Sequence, residues 1–156
     1  HFCNLQFKTS RMLPGDNIVY ACPSCTQKTW VPSLLSGNTF ESRLFSDGKR
    51  IAPMLPEFPD ITRCTSCKKI FWLNEQNEVE DEHLPIFMET DLPEATFLDA
   101  FGYDEAIMEG LVHGHDEEIY IRQRIHWAIN DRLRQGLPHF ADYEMRTLWE
   151  WTSITI

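Results

Sequence analysis

Two Cys-x-x-Cys pairs constrain the fold of this 156-residue chain more than any other feature. The pairs are Cys22 with Cys25 and Cys64 with Cys67, separated by 38 residues. Two residues between cysteines allow one tight turn, here called a knuckle, to direct both thiolates at one ion. Two knuckles complete a tetrahedron without an open coordination position. The pattern predicts one structural metal site, with zinc as the expected ion and iron as a possible one.

The fifth cysteine, Cys3, stands alone, and the odd total argues against a framework of disulfides. Two disulfides from the paired cysteines would also need an oxidising compartment. A Cys-x-x-Cys redox pair opens a helix after a strand, whereas residues 26–32 include β-branched residues and end in proline. The N-terminus has no basic region followed by an apolar core. We therefore expect a cytoplasmic protein in which Cys3 is a partly buried free thiol.

Charge divides the chain into two parts. Residues 1–73 have a net charge of +4, from nine basic and five acidic residues, whereas residues 74–156 have −14, from five and nineteen. Such asymmetry is typical of two units with different surfaces. We predict a ribbon domain over 1–73, an acidic solvated junction over 74–90 and a helical domain over 91–156. No apolar run approaches the ~20 residues that cross a bilayer, so no membrane interaction is expected.

A hairpin is predicted in the spacer between the two cysteine pairs. Apolar and polar residues alternate over 39–45, and an Asp-Gly dipeptide follows, which supplies the positive φ angles of a tight turn. Beyond it, Pro53, Pro56 and Pro59 recur at every third residue, the period of a polyproline II helix. This loop is either a docking ligand for a proline-binding partner or, as we favour, a segment packed on its own ribbon.

Three helices are predicted after residue 90. The first begins at the capping box of Asp91 to Glu94 and is interrupted near Gly102. The second covers 116–134, with apolar residues at helical spacing, acidic residues at its start and arginines at its end. The third covers 142–151. The whole pattern predicts an α+β fold, with antiparallel β-hairpins around the metal followed by a small all-helical unit.

The knuckles and their flanking strands resemble the zinc ribbon superfamily, also called rubredoxin-like. Val19-Tyr20-Ala21 enters the first knuckle, and the aromatic segment from Ile70 to Leu73 leaves the second. The resemblance covers about residues 17–73 and implies a three-stranded ribbon. Zinc ribbons serve transcription, translation, electron transfer and protein contacts, so the resemblance implies no single function. The segment from Ser46 to Pro56 is also similar to uncharacterised bacterial ribbon proteins, which implies no activity.

No enzymatic signature is found: the sequence has no glycine-rich phosphate loop, no Gly-x-Ser-x-Gly and no His-Glu-x-x-His. We therefore expect a non-enzymatic adaptor that binds a protein partner of unknown identity, as a monomer or a homodimer. Tyr120 and Trp127 lie seven residues apart on the second helix, off its apolar stripe, and are candidate partner-binding residues. The alternative is that both side chains contact the ribbon or the next helix.

Two other functions stay open at this point. The same four thiolates bind iron in a rubredoxin-like electron carrier. Lys68 and Lys69 beside Phe71 and Trp72 offer charge and stacking surface to single-stranded nucleic acid, but the −14 part of the chain would repel phosphate. We also consider a second metal site from His113 to Asp116, and favour a helix boundary there instead.

Overall fold

The computed structural model describes residues 12–152 of the chain, with side chains up to residue 148. Within this range the fold is α+β, as predicted, with antiparallel strands first and three helices after them. Cys3 lies outside the described residues, so its state stays a prediction. The strands are β1 (Leu13–Ala21), β2 (Lys28–Ser36), β3 (Arg43–Leu44), β4 (Arg50–Ile51), β5 (Ile61–Arg63), β6 (Ile70–Trp72) and β7 (Glu78–Leu84). The helices are α1 (Ala100–Met108), α2 (His115–Arg134) and α3 (Asp142–Thr152).

The largest described sheet has three antiparallel strands in the order β2, β1, β7. Strands β1 and β2 form a long hairpin in which Val19 lies opposite Trp30. Val19 and Val31 are buried, and β-branched residues of this kind favour extended backbone. Strand β1 has a partner on each edge, so its backbone is hydrogen-bonded on both sides.

Strand β7 corrects the prediction that residues 74–90 form only a solvated junction. The segment pairs with β1, and Ile18 lies opposite His83. Glu80 and Asp81 stay exposed, as their charge requires, while the backbone of the strand takes its hydrogen bonds from the sheet. Charged side chains do not prevent a strand from pairing at the edge of a sheet, because the carboxylates remain in water. The same charges discourage strands of other chains from pairing with this edge.

The predicted hairpin between the cysteine pairs is confirmed at its turn. Gly48 has a φ of +80°, in the left-handed region that glycine enters without a steric penalty. Strands β3 and β4 have only two residues each. Residues 39–42 form a separate turn instead, in which Ser42 N donates to Thr39 O at 3.1 Å. The hairpin is therefore shorter than the alternating pattern predicts.

The first helix begins later than the capping box at 91–94 predicts. Helix α1 starts after Asp99, whose carboxylate accepts a hydrogen bond of 2.7 Å from Gly102 N. The preceding segment is extended, because its backbone pairs with β2: Trp30 N donates to Pro93 O at 3.1 Å. This long-range pairing overrides the local helix signal. Gly102 lies inside the helix and does not interrupt it.

The second and third helices are confirmed. Helix α2 begins at His115, one residue before the predicted start, and ends at Arg134 as predicted. Its acidic first turn and its basic last turn both oppose the partial charges of the helix ends. Helix α3 begins at Asp142, also as predicted.

One apolar core joins the helices to the second cysteine hairpin. Ile61 of β5 and Ile70 of β6 belong to the same buried cluster as residues of all three helices. The predicted boundary at residue 73 therefore lies between residues that share a core, although the division into domains itself stays a prediction. The helical members of the cluster are Ala100, Tyr103, Ala106, Ile121, Ile125 and Leu148.

Candidate metal centre

Both knuckles are the turns of antiparallel hairpins. The first knuckle joins β1 to β2, and the second joins β5 to β6. In the first, Cys22 N donates to Gln27 O at 2.9 Å, and Thr26 N donates to Cys22 O at 2.8 Å. These two bonds close the turn and hold the Cys22 and Cys25 side chains on one side of it.

The second knuckle repeats the backbone of the first. Cys64 N donates to Lys69 O at 2.8 Å, and Lys68 N donates to Cys64 O at 3.1 Å. Lys68 has a φ of 65°, and Thr26, the equivalent residue of the first knuckle, has a φ of 64°. Few residues other than glycine adopt this conformation, and the turn hydrogen bonds maintain it here. Equal spacing in the sequence has therefore produced equal turns.

The four thiols meet at one point. The sulfur atoms of Cys22 and Cys67 are 3.6 Å apart, those of Cys25 and Cys64 are 3.5 Å apart, and all four lie within 4.8 Å of one another. Sulfur atoms of a tetrahedral zinc site with Zn–S bonds of ~2.3 Å are roughly 3.8 Å apart. The arrangement therefore fits one four-coordinate ion, and the cysteines are free thiols. The four cysteines therefore lie together as predicted, in a cluster that could hold a metal ion.

Each knuckle contributes one deep sulfur and one shallow sulfur. Cys22 and Cys64 are buried, at 1% and 4% exposure, whereas Cys25 and Cys67 are half-buried. Burial raises the pKa of Cys22 to about 11. A hydrogen bond from the backbone of Gln27 lowers the pKa of Cys25 to about 6. Metals bind thiolates, so loading the site near pH 7 releases protons, among them that of the buried thiol of Cys22.

Arg63 connects the second knuckle to helix α1. Its guanidinium donates to Lys68 O at 3.0 Å and to both carboxylate oxygens of Glu105, at 3.1 and 2.5 Å. These contacts lower the pKa of Glu105 and raise that of Arg63. This contact was not predictable from the sequence, because Arg63 and Glu105 are 42 residues apart and neither belongs to a motif. The helix thereby holds the turn that presents Cys64 and Cys67.

Tyr120 and Trp127 do not form the exposed aromatic strip proposed above for partner binding. Trp127 is only 7% exposed, and its indole N–H donates to Asp47 O at 3.0 Å. The hydroxyl of Tyr120 accepts a hydrogen bond from Asp60 N at 3.2 Å, and its ring lies 5.9 Å from that of Trp72. Both side chains contact the N-terminal part of the chain. This agrees with the alternative given above, in which they contact the ribbon and do not bind a partner.

The segment from His113 to Asp116 forms a helix boundary. Gly114 is the N-cap of α2, and His113 N donates to the carboxylate of Glu117 at 2.7 Å. In the part of the chain that the structure describes, the four cysteines are the one group of three or more metal-ligating side chains that lie together.

Comparison with known protein families, curated proteins and solved structures found no match for this chain. Over the described residues, none of the helices combines the length and the apolar character that a membrane span needs.

Proposed function

We propose that this chain is a protein-interaction module of the zinc ribbon type, stabilised by one zinc ion. The observation that supports this best is the convergence of four sulfur atoms, within 4.8 Å, on two knuckles of the same shape. Four protein ligands fill the tetrahedron, so the ion has no open position for a substrate. Its role is to connect two hairpins, and the activity of the chain is binding without catalysis.

Zinc is the ion proposed, because four thiolates without an open position are typical of structural zinc sites. Elemental analysis of protein purified without chelator from the native cell should give one zinc per chain. One iron per chain would instead favour the electron-carrier alternative. That alternative has some support from the half-buried sulfurs of Cys25 and Cys67, which place two ligands near the surface. Iron bound by four thiolates absorbs visible light, whereas the zinc site, with its filled d shell, is colourless.

The partner surface is proposed on the hairpin arm, defined here as residues 35–55. The arm carries Phe40 and Leu44, which are 66% and 62% exposed, together with exposed Leu35, Ile51 and Leu55. Large apolar side chains left in water over one segment are typical of interaction sites. The partner proposed is a protein, since the −14 charge of residues 74–156 opposes binding of a phosphate backbone.

The test compares the wild type with two variants in photo-crosslinking inside the native cell. Leu44→Ser combined with Ile51→Ser should abolish the crosslinked product, because the substitutions remove apolar contact area from the arm. Phe87→Ser is the matched control, since Phe87 is 93% exposed but lies outside the arm, and it should retain the product. Equal crosslinking by all three proteins would reject the arm as the partner surface. Micromolar binding of single-stranded DNA or RNA at ~150 mM salt would reject a protein as the main ligand.

A further inference from the structure

A cavity of about 420 Å³ lies between the loop that follows β4 and the helices α1 and α2. None of the four cysteines borders it, so it is separate from the metal centre. Its volume is within the range of small-molecule sites, about 300–1,000 Å³. Pro53, Leu55 and Pro56 form its outer wall. The proline-rich loop therefore borders this cavity, and it also contacts the ribbon, as expected, where Met54 O accepts a hydrogen bond of 3.2 Å from Asn38 N.

Most of the cavity wall is apolar and part of it is aromatic. Phe97 and Trp127 contribute rings, and Ile51, Leu98 and Ala128 contribute aliphatic surface. A wall of this kind gains free energy by removing a flat or branched hydrocarbon body from water.

One buried polar group at the cavity has no partner in the protein. Tyr103 is 2% exposed and borders the cavity, and its hydroxyl has no hydrogen-bond partner among the described residues. Burial raises the pKa of Tyr103 well above its usual range, and the electrostatic effect of Tyr120 raises it further. The phenol therefore keeps its proton. Buried hydroxyls without a partner are rare in proteins. The hydroxyl is covered by its neighbours, so an acceptor atom on a bound molecule would satisfy it once the cavity wall shifts to admit that molecule.

The charged side chains at the cavity form two ion pairs, and one further cation lies beside them. Lys49 is paired with Asp131, and Arg124 is paired with Glu57 at 3.0 Å. Arg50 also borders the cavity and is exposed, and it forms no ion pair with the described residues. The balance of side chains at this site is therefore +1.

Arg124 itself is not available to a ligand. Its guanidinium lies 4.9 Å from the ring centre of Phe97, 5.0 Å from that of Tyr120 and 5.2 Å from that of Trp127. These rings and Glu57 occupy its faces and its edge, so Arg124 supports the cavity wall. The cation that can meet an anion is Arg50.

We propose that this cavity binds a small organic monoanion with an aromatic body. The aromatic body lies against the apolar wall, Tyr103 donates a hydrogen bond to an acceptor atom of that body, and Arg50 pairs with the anionic group at the rim. The class includes aromatic carboxylates and sulfonates. Binding involves no covalent step. Ile51 and Leu55 belong both to the cavity wall and to the partner surface proposed above, so the two proposed sites adjoin each other.

The test uses two fluorescent probes with the full chain and its metal. Dansylglycine has an aromatic body, sulfonyl acceptor oxygens and one carboxylate, whereas dansylamide lacks the carboxylate. We expect one dansylglycine per chain, with increased dansyl emission in the apolar site. Dansylamide should bind about tenfold more weakly, because it loses the charge-assisted contact with Arg50.

Variants assign each contact. Arg50→Gln should weaken dansylglycine about tenfold and leave dansylamide unchanged, while Arg43→Gln, which removes a cation of the same hairpin outside the cavity, should change neither. Tyr103→Phe should weaken both probes a few-fold, since it removes one hydrogen bond. Ala128→Met, which fills the cavity from helix α2, should abolish binding of both with the helix signal in circular dichroism retained. The proposal is overturned if neither probe saturates, if Arg50→Gln binds dansylglycine like the wild type, or if folded Ala128→Met still binds both.

Discussion

The two hairpins that carry the cysteines have the same turns and different supports. Strands β1 and β2 have nine residues each and belong to a three-stranded sheet. Strands β5 and β6 have three residues each and form a two-stranded sheet of their own. A two-stranded hairpin this short is not stable alone in water. The second hairpin must therefore take its stability from elsewhere.

That stability comes from the helices and from the segment that precedes them. Ile61 and Ile70 are buried in the helical core. Thr62 exchanges two hydrogen bonds with the backbone of Thr96, at 2.9 and 3.2 Å. The indole N–H of Trp72 donates to Leu111 O at 2.8 Å. The first hairpin thus depends on strand pairing and the second on side-chain packing, and the four-cysteine cluster is where these two separately supported pieces meet.

The largest expected effect comes from breaking that link. Cys64→Ser removes a buried ligand, so the metal should be lost and the free energy of unfolding should fall by several kcal/mol, since structural zinc contributes on the order of 10 kcal/mol of binding free energy. Hydrogen exchange should accelerate most over 22–28 and 64–69, and least in α2. Exchange by mass spectrometry and elemental analysis measure both effects.

Cys3→Ser is the matched control for this substitution, because it changes a cysteine that belongs to neither Cys-x-x-Cys pair. It should leave the metal content and the exchange pattern unchanged. If Cys64→Ser kept its metal, or exchange across 17–73 were unaltered after metal loss, the ion would not be the link between the hairpins.

A smaller loss of stability should distinguish the packing that supports the second hairpin from the strand pairing that supports the first. Ile61→Ala and Val19→Ala each truncate a fully buried side chain, one in each hairpin. Ile61→Ala should cost about 3 kcal/mol and lower the midpoint of helix unfolding, because it opens a hole in the helical core. Val19→Ala should cost about 2 kcal/mol, since it removes less hydrocarbon and lies outside that cluster.

Urea unfolding followed by circular dichroism at the helix band and by tryptophan fluorescence distinguishes these cases. The shared core requires both signals to shift together in Ile61→Ala. A helix midpoint in Ile61→Ala equal to that of the wild type would show that the second hairpin does not depend on the helices.

The smallest expected change in stability concerns the hairpin arm, in which Asp47 is hydrogen-bonded to side chains of α2. Burial would raise the pKa of this carboxyl, but hydrogen bonds from Asn130, Arg134 and Lys49 N outweigh it and lower the pKa from an ordinary 3.8 to about 2. A depressed pKa in the folded state gives stability that is present above the unfolded pKa. That stability is lost as the pH falls from about 4 to about 2, and it amounts to about 1 kcal/mol after allowance for solvent screening.

Asp47→Asn removes this titration. The difference in unfolding free energy between wild type and Asp47→Asn should therefore shrink as the pH falls through that window. Taking the difference removes the effect of acid on the thiolates, which both proteins share. A difference that stays constant from pH 5 to pH 2 would contradict the proposed role of Asp47.

Features with a local physical cause were predictable from the sequence. Helix α2 follows from apolar spacing and end charges, both of which act within a few residues along the chain. The turn at Gly48 follows from one residue that tolerates a positive φ. The start of α1 was not predictable in this way. Two capping signals compete, at Asp91 and at Asp99, and the pairing of Trp30 with Pro93 decides between them.

The sequence by itself determined the two cysteine knuckles, because each closes through hydrogen bonds between residues at most five apart. Only the tertiary structure decided where the aromatic side chains of α2 lie. The indole of Trp127 meets Asp47, 80 residues away, and no local pattern encodes a contact at that distance. The cavity beneath the proline-rich loop has the same origin. Its wall combines residues from both sides of the second knuckle, and they meet only because the second cysteine hairpin and the helices share one core.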